Sequence, residues 1–253
     1  MSAWTWAVAS RCGVSHVRAG ERRQDAFACR TLTCPNATLI AVLCDGAGSA
    51  EMGGEGASLA ARTIALKAHA SCGGTLDGVT DDLIWSWVGD ARDRIATAAK
   101  KRGLKPRDFA TTMICTISNG RETIVAHIGD GCSVVQDASD RSWHAVTWPS
   151  HGQYASATFF ITDDPQPKLI IQRYSQPVSA IVAFTDGLER LALELAAEKP
   201  HAPFFDAIIG PVGASQVVGR DAALSAALAR YLDSDTINSR TDDDKTLLVA
   251  AYR

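Results

Sequence analysis

The chain has 253 residues, of which 46% are hydrophobic and 21% charged, with a formal net charge of -3. That length buries a full core and sits at the upper end of what stays one domain, so a single domain over residues 1–253 is expected. Scattered lysines and arginines on a near-neutral chain exclude nucleic acid as an expected partner.

The seven cysteines form no C-x-x-C pair and read as reduced thiols. Met1 to Ser10 has no basic residue ahead of its apolar stretch, as a signal peptide would need. No apolar run approaches the ~20 residues of a membrane span. A cytoplasmic protein without a membrane partner is expected.

In chain order, Trp4 and Trp6 read as packing residues of a strand. Leu39 to Cys44 (LIAVLC) is a buried strand that ends at Asp45-Gly46. An alanine- and leucine-rich helix runs from Glu55 to Ala70 and stops at Cys72-Gly73-Gly74. A second helix, Asp81 to Arg102, places Leu83, Ile84, Trp87, Val88, Ala91 and Ile95 on one stripe, with Gly103 as its stop. Thr111 to Ser118 and Glu122 to Ile128 form a hairpin around Asn119-Gly120. Strands follow at Ser133 to Gln136, near Trp143 to Thr147, and at Val178 to Thr185, the last ending in Asp186-Gly187. Trp148 to Asp164 alternates and is rich in aromatics, which suggests an ordered hairpin. A helix from about Gly219 to Leu232, a polar loop from Ser234 to Thr241 and a strand, Thr246 to Ala251, complete the chain. The helices come in separated blocks, so an α+β layered sandwich fits better than a doubly wound parallel sheet.

Acids recur at strand ends: Asp45 after LIAVLC, Asp130 after IVAHIG, Asp186 after IVAFT and Asp243 before TLLVAA. A single Asp-Gly is more often a turn than a ligand. Aspartate is a poor strand former, though, and its repetition at strand tips points to a shared cation. Without a histidine or cysteine cluster, magnesium or manganese fits better than zinc.

The blocks GERRQDAF (Gly20 to Phe27), LCDGAGSAEMGGEGAS (Leu43 to Ser58), FATTMICTI (Phe109 to Ile117), VAHIGDG (Val125 to Gly131), AFTDGLERL (Ala183 to Leu191) and DDDKTLLVA (Asp242 to Ala250) follow one another in this order. Together they resemble the protein phosphatase 2C family of metal-dependent Ser/Thr phosphatases, and most closely a bacterial subgroup with a D-G-A-G-S block.

The resemblance implies a four-layer α-β-β-α sandwich, two antiparallel sheets flanked by helices, with two Mg2+ or Mn2+ ions, and in some relatives a third, in a cleft at one end. Carried over by position, it implies that Asp45 bridges two ions, the Gly46 carbonyl binds one, and Asp186 and Asp243 complete the set. Asp25 would hold a water on the metal, and Asp130 would serve the third, weaker ion. A metal-activated water would attack phosphorus in line, without a phosphoenzyme. The substrate would be a phosphorylated protein, and the partner a cognate Ser/Thr kinase.

Three positions depart from the family pattern. Gln24 replaces a glutamate, Ala47 replaces a histidine proposed as leaving-group acid, and Gly20 stands where the phosphate-binding arginine belongs, leaving Arg18, Arg22, Arg23 or His16 as substitutes. His127 reads as a core histidine ahead of an acid near the metals. Thr111 and Thr112 read equally as strand formers and as packing residues near the site. Two alternatives stand beside the phosphatase: a regulatory pseudo-phosphatase that binds without turnover, and a hydrolase of small phosphorylated molecules.

Overall fold

The computed structural model describes residues 2–33, 36–72, 75–150 and 158–253. The first strand, β1 (Trp4–Arg11), leads into a short helix, α1 (Val14–Ala19), and then into β2 (Ala26–Leu32) and β3 (Thr38–Cys44). Two long helices follow, α2 (Gly53–Ser71) and α3 (Asp81–Arg102). The central strands are β4 (Met113–Ser118), β5 (Thr123–Ile128), β6 (Cys132–Asp137), β7 (Trp143–Thr147), β8 (Ile170–Tyr174) and β9 (Val178–Phe184). A one-turn helix, α4 (Glu189–Ala192), precedes a small ladder of β10 (Leu193–Glu194) and β11 (Lys199–Pro200). The chain ends through α5 (Ala202–Ala214), β12 (Gly219–Arg220), α6 (Ala222–Leu232), α7 (Asp235–Asn238) and β13 (Lys245–Tyr252).

These strands make a six-stranded sheet, β12-β1-β13-β9-β6-β7, and a five-stranded sheet, β2-β3-β4-β5-β8. Every pairing is antiparallel except the short parallel contact of β12 with β1. The layers follow from the two-residue period of a strand. In β3, Ile40, Val42 and Cys44 face the α2–α3 layer, whereas Leu39, Ala41 and Leu43 face the other sheet. In β13, Leu247 and Val249 face α5 and α6, and Leu248 and Ala250 face inward. Trp4, Trp6 and Val8 of β1 join that inner layer. The expected four-layer sandwich is therefore present, with β12 the one parallel strand among the described residues.

Helix α3 has the bounds that the sequence implies. The Thr80 hydroxyl accepts from the Leu83 N–H (3.2 Å), and Gly103 closes the helix in the left-handed region. Ile84, Trp87, Val88, Ala91 and Ile95 are buried against the five-stranded sheet. Burying each large side chain of this stripe is worth about 1.5–3 kcal/mol.

Other expectations shift. Helix α6 begins at Ala222, because Asp221 caps it by accepting from the Leu224 N–H (2.9 Å) and Gly219–Arg220 are spent pairing with β1. The polar loop after Ser234 contains α7. The hairpin expected over Trp148 to Asp164 falls in part on residues 151–157, outside the described residues, and Phe159 to Asp164 forms no strand. Gly73 and Gly74, expected to stop α2, also lie outside them. The described cysteines are free thiols, with Cys44, Cys72, Cys115 and Cys132 buried. Among the described residues no helix is long and apolar enough to cross a membrane.

The site is positioned by strand register. Ala26 pairs with Cys44, Leu43 with Ile114, and Met113 with Ile128, so Asp25, Asp45 and Asp130 leave the five-stranded sheet at one end. In the other sheet, Cys132 and Leu247 both pair with Phe184, which brings Asp186 and the segment before Lys245 to the corresponding end.

Candidate metal centre

Oxygens of Asp45, Asp130 and Asp186 lie within 4.8 Å of one another, and all three residues are partly open to solvent. Asp45 is held by its backbone. Its carbonyl accepts from the Thr112 N–H and the Thr111 hydroxyl, both at 2.8 Å, and its own N–H donates to the Thr112 hydroxyl (3.1 Å). Thr111 and Thr112 thus fix the strand tip that presents the acid. This role is more specific than that of ordinary strand formers.

Asp25 is buried beneath the cluster. Its Oδ2 accepts from the Thr185 hydroxyl (2.8 Å) and the Thr246 hydroxyl (2.6 Å), while Oδ1 has no hydrogen-bond partner. Oδ1 of Asp186 is likewise buried and without a hydrogen-bond partner. Asp243 is partly exposed, and its Oδ1 accepts the Asp244 N–H (2.8 Å). It stands outside the tight group of three yet close enough for its charge to act on Asp186.

The electrostatics are those of crowded, buried acids. Burial, joined by the charges of Asp244 and Asp186, raises Asp25 to about 7 against the stabilising hydroxyls. Burial, then the charges of Asp25 and Asp186, pushes Asp45 well above the carboxylate range. Asp186 rises to about 6, first through burial and then through Asp130 and Asp243. An all-oxygen set of this kind, with buried acceptor atoms that no donor meets, suits a hard divalent cation such as magnesium or manganese.

Gln24 engages the backbone beside Asp45 through its amide. With its nitrogen directed inward, it donates to the carbonyls of Gly46 (2.9 Å) and Ala47 (3.2 Å). Among the candidate phosphate ligands, Arg23 is spent on the carbonyls of Asp25 and Ser10, both at 3.0 Å. His16 Nδ1 meets Asp244 Oδ1 at 2.9 Å. Arg18 lies exposed on α1. Arg22 lines an open groove of about 690 Å3 between residues 21–24 and the loop from Gly48 to Glu55.

Two acids of this region went unread in the sequence. Asp244 is buried, and its Oδ2 accepts the N–H groups of Gln24 and Asp25 (the latter at 3.3 Å), while its Oδ1 accepts from Gly13 (2.6 Å). Burial pushes its pKa up, but these N–H donors and His16 outweigh it and hold the group below the usual range. Glu189 accepts the Gly131 N–H (2.6 Å) and is raised to about 7 by burial. The signals for them were the triple-aspartate run and the acid three residues beyond Asp186.

His127 is the satisfied core histidine. Its Nδ1 meets the Thr147 hydroxyl and its Nε2 the Asp130 carbonyl, both at 3.0 Å, and burial lowers its pKa to about 4. A depressed histidine contributes stability above its unfolded value of 6.5, and that stability is lost as pH falls toward 4. Replacing His127 by Gln is therefore expected to remove roughly 3 kcal/mol of acid-linked destabilisation. Urea unfolding of both proteins at a series of pH values measures it, and identical slopes would contradict it.

Comparison with known proteins identifies the family. The family model described as protein phosphatase 2C matches residues 12–233. Serine/threonine-protein phosphatase 3 of Escherichia coli (strain K12) is 37% identical over 253 residues, covering 98% of each chain. Among solved structures, PppA, described as a key regulatory component of T6SS in Pseudomonas aeruginosa, superposes with a TM-score of 0.67 at 16% identity and full coverage of both chains. The catalytic domain of the serine/threonine phosphatase PstP, solved with two manganese ions, gives 0.65 at 17% identity over 100% of this chain and 99% of its own. With its acids converging at one end of the sandwich and the family model matching most of its length, the chain belongs to the protein phosphatase 2C family of serine/threonine phosphatases.

Proposed function

We propose that this chain removes phosphate from phosphoserine and phosphothreonine side chains of proteins in a reaction that depends on Mg2+ or Mn2+. The observation that carries the reading is the convergence of Asp45, Asp130 and Asp186, with Asp25 buried beside them and Asp243 adjacent.

Asp45, the Gly46 carbonyl, Asp186 and Asp243 are the groups that would hold the two principal ions, with Asp130 available to a third. When bound, such a pair supplies a nucleophilic water at neutral pH and positive charge for the phosphoryl oxygens. The protein's own part is positioning. Thr111 and Thr112 fix the Asp45 backbone, and Thr185 and Thr246 orient Asp25 so that one carboxylate oxygen stays available to accept from water. A loose phosphoryl-transfer transition state asks for little beyond such positioning and charge.

Arg22 is the group that best fits the missing phosphate-binding arginine, since Arg23 and His16 are already engaged. Arg22→Ala should raise KM for a phosphothreonine peptide about tenfold, the worth of one charge-assisted hydrogen bond. An unchanged KM would remove Arg22 from the role. His127 does not replace the leaving-group acid at Ala47, because both of its ring nitrogens are occupied in the core.

The whole span acts as one catalytic unit in this reading, supported by the inner core shared by both sheets. A cytoplasmic location and a cognate Ser/Thr kinase that forms the substrate complete the proposal. A binding module without turnover is disfavoured because Asp45, Asp186 and Asp243 are all retained. Hydrolysis rates for phosphothreonine, phosphotyrosine and small-ester substrates test the substrate class. Preference for the phosphothreonine peptide is expected. Preference for the small ester would overturn it.

A further inference from the structure

We propose that Cys12, His16 and Asp244 form a second metal site, selective for Zn2+, through which zinc inhibits the enzyme. One ligand atom of each residue lies within 4.8 Å of the others, in a cluster separate from the aspartates of the main centre.

The fold builds this cluster. Strands β1 and β13 pair with Arg11 opposite Lys245, so the next residue on one side, Cys12, and the preceding one on the other, Asp244, meet just beyond the ladder. Gly13 permits the approach: a Cβ there would lie 2.4 Å from the Asp243 carbonyl carbon and 2.7 Å from the Asp244 nitrogen. Helix α1 then returns His16, four residues after Cys12, with Nδ1 at 2.9 Å from Asp244 Oδ1.

The donor chemistry separates the two sites. A thiolate, an imidazole and one carboxylate suit zinc, which takes three protein ligands and leaves a fourth position open. The aspartate centre offers only oxygen and suits harder ions. Ligand atoms around tetrahedral zinc stand roughly 3.3–3.7 Å apart, given its bond lengths, so side-chain shifts of about an ångström convert the cluster. On uptake the Cys12 thiol proton leaves to solvent, and the ring proton of neutral His16 passes through solvent from Nδ1 to Nε2, so the imidazole binds the ion through Nδ1 as its Nε2–H tautomer.

The link to catalysis is Asp244. Its Oδ2 holds the backbone N–H groups of Gln24 and Asp25, and its own N–H donates to Asp243. An ion drawing on this carboxylate displaces Asp25 and Asp243 from their positions at the main centre. Zinc binding itself stands independently of the phosphatase reading, whereas the inhibition rests on it.

The test uses the full chain saturated with Mn2+ and titrated with Co2+, then Zn2+. Wild type should develop a thiolate-to-cobalt absorption band saturating at one equivalent and abolished by Zn2+. Cys12→Ser and Cys12→Ala should lack the band, keep their Mn2+-dependent turnover and need at least about tenfold more Zn2+ for inhibition. A wild type without the band, or a band that survives in both variants, overturns the site. Zinc inhibition of equal potency in wild type and variants overturns its coupling to catalysis. Turnover absent in every protein, with the cobalt band intact, sinks the phosphatase reading and the inhibition, and leaves the metal site standing.

Discussion

Asp45→Asn is expected to lower kcat on the order of 10³-fold, the scale of removing one preorganised electrostatic group from an active site, while making the metal-free protein more stable. Both effects come from the same crowding. Burial and the charges of Asp25 and Asp186 raise the Asp45 pKa well above the carboxylate range. A raised acid is stabilising only while protonated, so its contribution is present below the ordinary carboxylate pKa and is lost as pH rises through the folded value. Asp25 and Asp186, raised to about 7 and about 6, behave alike. In EDTA, wild-type thermal stability should therefore fall between about pH 4 and pH 7, and the asparagine variant should fall less. Mn2+ should restore wild type much more than the variant. Retained turnover in Asp45→Asn would remove Asp45 from the centre.

Gly187→Ala should disturb both stability and turnover without removing any acid. A Cβ at Gly187 would lie 2.0 Å from the Asp244 carbonyl oxygen and 3.1 Å from its carbon, so the start of β13 must move. Overpacking of this kind costs about 1–3 kcal/mol. The contact is flanked by Asp186 on one side and Asp243 on the other, and a displacement of about 1 Å at a catalytic group lowers turnover on the order of 10²-fold. Urea unfolding and kcat, measured on the same variant, check the two effects. A variant that loses stability while keeping full kcat would show that Asp186 and Asp243 need no fixed spacing.

The sandwich was legible where one period dominated. LIAVLC, the Asn119-Gly120 hairpin and the apolar stripe of α3 carry strong local signals, and each lies close to where it was expected. Strand β2, with the mixed sequence AFACRTL, and the edge strand β8 are half-exposed, so neither shows a continuous apolar run. Helix α5 contains Pro203, Gly210 and Pro211, which weaken its helical signal, and the sequence shows no element there. It forms because Phe204, Phe205, Ile209 and Val212 are buried in the outer core of the six-stranded sheet, a tertiary gain that overrides local propensity.

The site divides in the same way. Asp45, Asp130, Asp186 and Asp243 could be read because each interrupts or precedes an apolar strand. Asp244 could not be separated from its neighbours in the run Asp242-Asp243-Asp244, since only burial and long-range N–H donors distinguish it. The engagement of Arg23 and His16 depends in the same way on contacts that spacing does not encode.

The central claim is that these acids hold the ions on which turnover depends, and it is tested most directly by following phosphate release from a phosphothreonine peptide in parallel with bound Mn2+. The account predicts no release in EDTA, activity that rises with occupancy of a two-ion centre, and loss of both binding and activity in Asp243→Asn. Full release from protein stripped of metal would contradict it.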